Sequence, residues 1–171
     1  MKQILELIIA LEKEVEEYKR LLDLSLRKTP VIISADLEAL AKITDEEQLA
    51  LTSLSHVDKK REECMKDIAN VVNKDVNAIK LTDLVNMLSA RPQEQKRLAA
   101  VHDSLSDVVA QVRRSNEQNK QLIESSLEMV QFDLNVIQAM KTAPETNNYS
   151  KNAYSTGAVM GTGSGGFDSR S

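Results

Sequence analysis

The first 156 residues of this chain contain no glycine. At an average usage of about 7% a chain of this length would hold roughly a dozen. The five present are Gly157, Gly161, Gly163, Gly165 and Gly166. Tight type I′ and II′ hairpin turns depend on residues that tolerate positive φ, and only Pro30, Pro92 and Pro144 punctuate the rest of the chain. A sandwich or barrel is therefore disfavoured, and an all-α body with an irregular tail is expected. The 171 residues, 42% of them hydrophobic, suffice for one core of ordinary domain size.

Hydrophobic spacing divides that body into helices. From Ile4, the positions Ile8, Leu11, Val15, Tyr18 and Leu22 follow at alternating steps of four and three, the heptad seam of a helix packed lengthwise on another. Thr29 precedes Pro30, and a residue before proline is pushed out of the α region, so this helix is expected to stop near Arg27 or Lys28. Val31 to Ile33 then reads as an apolar, β-branched connector. Ser34 and Asp36 are both suitable N-caps for a second helix of about 37 residues carrying Leu37, Leu40, Ile43, Leu51, Leu54, Val57, Met65, Ile68 and Val72. Asn70 and Asn73 mark its expected end. Thr82, followed by Leu84, Val85, Met87 and Leu88, reads as a capped helix of two turns that makes a corner. Pro92 suits the first position of the longest helix, in which Leu98, Val101, Leu105, Val108 and Val112 keep step and nothing interrupts before Lys141.

After Lys141 the composition changes, because residues 142–171 hold all five glycines. The expected division is a helical body at 1–141 and a flexible tail at 142–171. Helices with stripes this apolar are not stable alone in water. The expected fold is all-α: an elongated antiparallel helical bundle or coiled-coil hairpin of three long helices plus one short helix.

Charge and composition prune the function classes. A net charge of −4 is opposite in sign to a nucleic-acid footprint, and three Tyr, two Phe and no Trp leave little for base stacking. No apolar run reaches the ~20 residues of a membrane span, and Met1 to Ala10 has neither the basic start nor the cleavage site of a signal peptide. A cytoplasmic protein is expected, with no membrane insertion. Cys64 is alone, so neither a disulfide framework nor a thiolate cluster is available, and it reads as a reduced thiol facing the core. Gly161, Gly163 and Gly166 match G-x-G-x-x-G but lack the strand and helix that a dinucleotide site requires. His56 and His102 have no acidic or histidine partner in a ligand-like pattern and read as solvated or half-buried helix residues. The runs Glu12 to Glu17 and Asp45 to Glu47 read as solvated faces. No cofactor, metal or catalytic constellation is expected.

The stretch from Asn116 to Met140 has another character. Leu127, Val130, Leu134 and Ile137 form one stripe, and Met129, Phe132, Val136 and Met140 another, centred roughly 130° away at ~100° per residue. Either both stripes are buried in the bundle, or one packs inward while the other, with its adaptable methionines, receives an amphipathic helix from a partner. Asn116 and Asn119 lie where the seam would continue, and as buried polar residues they would fix register.

At these residues the sequence resembles the FlgN family of bacterial flagellar export chaperones. The carrying stretch is NEQNKQLIESSLEMVQFDLNVI, from Asn116 to Ile137, supported by SADLEALAKI at Ser34 to Ile43 and by a polar tail with Tyr149, Tyr154 and Gly157. The resemblance implies a cytoplasmic type III export chaperone that holds the hook-associated proteins of the hook–filament junction, the first and the third, before export, and that meets components of the flagellar export apparatus. It also implies binding through the C-terminal part of the chain, which by position selects Leu127, Val130, Phe132, Leu134 and Ile137 with Tyr149 and Tyr154. Met129, Val136 and Met140 join them from the stripe pattern. The competing expectation is a homo-oligomeric coiled-coil scaffold, with a helical adaptor of another secretion system as a weaker third.

Overall fold

A computed structural model describes residues 2–148, with side chains as far as Lys141. Four α-helices follow in order: α1 (Lys2–Ser34), α2 (Leu37–Val71), α3 (Leu81–Met87) and α4 (Pro92–Asn148), with a 3-10 turn at Val76–Ala78 before α3. Among the described residues there is no strand. The chain divides into two compact units, Met1–Glu124 and Ser125–Ser171.

The first helix differs most from expectation, because it runs through Pro30 to Ser34. Pro30 removes the amide that would bond the Leu26 carbonyl, but Leu26 is exposed at 55%, where water can serve that carbonyl. The Thr29 hydroxyl donates to Asn119 Oδ1 at 2.6 Å, holding the residue before the proline in place. The turn beyond it is also rewarded: Ile32 is buried, and Val31 packs against the cluster of Leu24, Ile43 and Ala50.

Both helix ends that lack glycine solve the left-handed residue in other ways. Ala35 has φ 55° and Asn73 has φ 54°. Asp36 N–H reaches the Val31 carbonyl at 3.2 Å and Lys74 N–H reaches that of Ala69 at 3.0 Å, the six-to-one bond of a Schellman motif. Asp36 then caps α2 by accepting from the Ala39 amide at 3.1 Å. In α3 the expected cap is displaced. Thr82 lies inside the helix, Lys80 is its N-cap, and Asp83 Oδ2 accepts the Lys80 amide at 2.9 Å. The last helix starts at Pro92 but continues to Asn148, past Lys141 and Pro144.

Cross-helix contacts fix the directions within the first unit. Glu14 meets Arg61, Glu17 meets Ser53, and Lys28 meets Glu47, so α2 descends as α1 ascends. Glu12 meets Arg97, Ser25 meets Ser115, and Thr29 meets Asn119, so α1 and α4 run parallel. Serving two neighbours, α1 buries more than the heptad seam: Leu7, Ala10, Glu14 and Leu24 join Ile8, Leu11 and Val15. With Cys64 and Ile68 of α2, Leu84 of α3 and Leu98 and Val101 of α4, most of these build the main core. In α2, Leu37 and Leu51 of the expected stripe are exposed, and the small Ala50 and Ala69 are buried instead.

A polar layer interrupts the α1–α4 contact. Asn119 donates to the Ser25 carbonyl at 2.8 Å and to its hydroxyl at 3.1 Å. Ser25 and Ser115 hydroxyls lie 2.7 Å apart, and Ser25 also donates to Asn116 Oδ1 at 3.0 Å. Ser25, Ser115 and Asn119 are all buried, whereas Asn116 is exposed. Sliding α4 by one turn would strand these groups in the dry interface, so the layer selects one register. At that register, where Ser25 and Ser115 are separated by 90 positions, the end of α1 at Ser34 stands level with Glu124.

A buried carboxylate interrupts the α1–α2 contact. Glu14 is 2% exposed and accepts from Arg61 Nη1 at 3.3 Å, while Arg61 also pairs with Asp58 at 3.1 Å. Burial pushes the Glu14 carboxyl up to about 7, against the pull of Arg61.

Three outcomes are expected. In urea denaturation Asn119→Ala destabilises by about 1–3 kcal/mol, and Ser25→Ala added to it costs less than the sum of the single changes; strict additivity would refute the network. Ala35→Gly relieves the left-handed strain and stabilises by about 0.5–1 kcal/mol, and any loss of stability would contradict the assigned φ. Since burial holds the folded Glu14 carboxyl at about 7, above the ordinary 4.5 of the unfolded chain, folding takes up a proton between those values. Its contribution therefore strengthens as pH falls through that window and is lost as pH rises through it. Unfolding titrations should show the stability of Glu14→Gln, relative to the parent, improving as pH rises; a pH-independent difference rejects this.

Candidate partner-binding surface

The C-terminal stripes predicted from spacing lie on the part of α4 that belongs to the second unit. The helical seam that packs Leu98, Val101, Val108 and Val112 continues as Ser115 and Asn119, and Leu122 and Ile123 are half-buried. Every described side chain from Ser125 to Lys141 is exposed.

Both stripes are open along this segment. Leu127, Val130, Leu134 and Ile137 are exposed, and so are Met129, Phe132, Val136 and Met140, over a range from 40% at Val136 to 68% at Met129. Neither stripe is buried. Eight large apolar residues on about four helical turns form a patch of the kind that marks an interaction surface in a water-exposed protein. The polar positions between them, Glu128, Gln131, Asp133, Asn135 and Gln138, keep the segment compatible with water, and Gln131 donates to Asn135 at 3.2 Å along the helix.

The shape of the surface follows from helical geometry. Residues three and four apart stack, so each stripe is a ridge about three turns long that can receive the knobs of a facing helix. Two ridges roughly 130° apart admit two facing helices, or one wide amphipathic partner. Methionine and phenylalanine provide adaptable and large contact area, and the acidic residues Glu128 and Asp133 give the rim a negative character. Tyr149 and Tyr154, the remaining predicted contacts, and the glycines of G-x-G-x-x-G lie outside the described residues.

Other candidate groups take structural places. Cys64 is buried in the main core, and burial pushes its thiol up, away from the reactive thiolate. His56 is exposed, and His102 is half-buried with its Nδ1 3.3 Å from Asp103 Oδ1. Glu12 of the acidic run is held below its usual value by the Arg97 guanidinium. Among the described residues no group of three His, Cys, Asp or Glu side chains is placed to hold a metal ion, and no helix is long and apolar enough to cross a membrane.

Of the register layer, sequence spacing found Asn119 and Asn116 but missed Ser25, Thr29 and Ser115. A signal was available: Ser115 falls at the step of three after Val112, on the seam itself. Ser25 and Thr29 are one turn apart on α1 and carry no apolar pattern that would mark them.

Comparison with known proteins completes the description. No curated protein and no solved structure matches the chain. A family model described as FlgN protein matches residues 1–156.

Proposed function

Because the chain belongs to the FlgN family of flagellar export chaperones, we propose that it escorts hook-associated proteins of the hook–filament junction in the cytoplasm, packing their terminal helices on the exposed α4 segment until export. The observation that carries this reading is the exposure of all eight large apolar residues from Leu127 to Met140. A stripe of this kind left in water invites aggregation unless a partner covers it, and a partner whose own terminal helices are amphipathic has the same need. The first and third hook-associated proteins are the proposed cargo, and delivery brings the complex to the export apparatus. The described first unit supplies the scaffold, which we read as an antiparallel helical bundle extended by the parallel α1–α4 contact.

A chaperone must release what it holds. An exposed helix face gives up no internal packing on binding, and the residues after Asn148, with Tyr149 and Tyr154, are proposed to close over the bound helix. Immobilising polar side chains against the cargo would offset part of the contact energy and keep the association reversible. No enzymatic step is needed.

The same eight exposed residues also suit pairing with a second copy of the chain, which is the alternative of a coiled-coil scaffold. Light scattering over a wide concentration range separates the two, because a constant monomer mass removes self-pairing.

Replacing Met129 and Phe132 together by Asp tests the main reading. Both side chains are exposed, so the urea midpoint should move by no more than surface substitutions do, about 0.5 kcal/mol each. Affinity for a hook-associated protein should fall by at least about tenfold. Unfolding of the variant would place these residues in a core, and unchanged affinity would take the surface out of the mechanism.

A further inference from the structure

The first unit also carries a concavity that none of the α4 stripe residues lines. The corner formed by the 3-10 turn and α3 leaves a cavity of about 710 Å³ against α2 and α4. Arg61 and Lys66 of α2, Lys80 at the start of α3 and His102 of α4 stand on its wall, and Glu62 is the one carboxylate there. Met65, Val76 and Leu81 give the same wall apolar surface and also pack against the main core.

The charges on this wall are not equally committed. Arg61 is spent on Glu14 and Asp58, and His102 lies beside Asp103. Lys66 and Lys80 are both exposed, and neither has a carboxylate within ion-pair distance among the described residues. Two unneutralised ammonium groups on opposite elements thus flank an apolar floor in a chain of net charge −4. The corner is also held in place: Gln95 of α4 donates to the Val85 carbonyl at 2.9 Å, and Asp83 fixes the start of α3 through the Lys80 amide.

A basic concavity in an acidic protein is where an acidic partner can approach without repulsion, and an apolar floor between the charges selects against a bare anion. We propose that this cavity binds a short acidic peptide segment of a partner protein, with carboxylates at Lys66 and Lys80 and an apolar side chain between them on Met65, Val76 and Leu81. Its fixed walls make this a preformed site on the first unit.

The test uses the full chain and a fluorescein-labelled hexapeptide, Asp-Leu-Glu-Asp-Phe-Glu, followed by fluorescence anisotropy. The acidic peptide is expected to bind, more weakly as ionic strength rises, while the same peptide with every Asp as Asn and every Glu as Gln does not. The double change Lys66→Glu and Lys80→Glu is expected to weaken binding by at least about tenfold, about 1.4 kcal/mol, with helicity by circular dichroism unchanged because both residues are exposed. Absence of binding, equal binding of the neutral peptide, or insensitivity to the charge reversals overturns the proposal. Displacement by inorganic phosphate as effective as by unlabelled acidic peptide also overturns it, since the site would then take a small anion. The Met129 and Phe132 double variant serves as a control expected to bind the hexapeptide normally, so failure of the export-chaperone reading and failure of this one are read separately.

Discussion

Helix α1 has to satisfy two neighbours at once, and the arrangement of the first unit follows from that demand. One face meets α2 running back along it, the other meets α4 running with it, and the apolar positions Leu7, Ile8, Leu11 and Val15 serve both. A helix with one partner needs a narrow stripe, whereas a helix between two needs a broad one. That breadth explains why Ala10 and Glu14 are buried beside the heptad seam. It also explains how the helix keeps going beyond a proline, since the packing of Val31 and Ile32 lies on its far side.

Apolar packing alone would leave such helices free to slide, because Leu, Ile and Val stripes repeat. The polar contacts remove that freedom at different places. Near the start of α1, Glu12 and Arg97 form a paired, two-bond bridge at 2.6 and 2.7 Å, which is exposed and contributes little free energy. Toward its end, Ser25, Thr29, Ser115 and Asn119 lie in or near a dry interface, where a misplaced donor costs far more. The same argument applies to Glu14 and Arg61 between α1 and α2, with the added condition that the carboxylate changes its charge near neutral pH. Specificity of alignment is therefore concentrated in a handful of small and charged side chains, and bulk stability in the aliphatic ones.

How much of this could be read beforehand varies from element to element for physical reasons. The all-helical character of the described residues, the cap at Asp36, one of two candidates beside Ser34, the start at Pro92 and the burial of Cys64 rest on local chemistry or on glycine scarcity, and each is found. The end of α1 rested on Pro30, and tertiary packing overrode a local preference that amounts to a few kcal/mol at most. The start of α3 was assigned to Thr82 because hydroxyls cap well, but Asp83 reaches the preceding amide and moves the boundary back. At the candidate surface, spacing marks two apolar stripes on α4 and leaves their burial open. Periodicity reports that two faces are apolar, but it carries no information on whether another part of the fold covers them.

The single thiol acquires a use from its position. Cys64 sits among Leu11, Ile68 and Leu98, 2% exposed, and its proton is held more tightly than in water. A thiol reagent can reach it only when the core opens, so the rate of its modification measures the opening equilibrium of the very region in which α1, α2 and α4 meet. The chain thus carries its own reporter, silent while the helices are closed. Cargo that engages only the distal part of α4 would leave that rate unaltered, whereas cargo that draws on the packed helices would change it, and no engineered label is needed to tell the two apart.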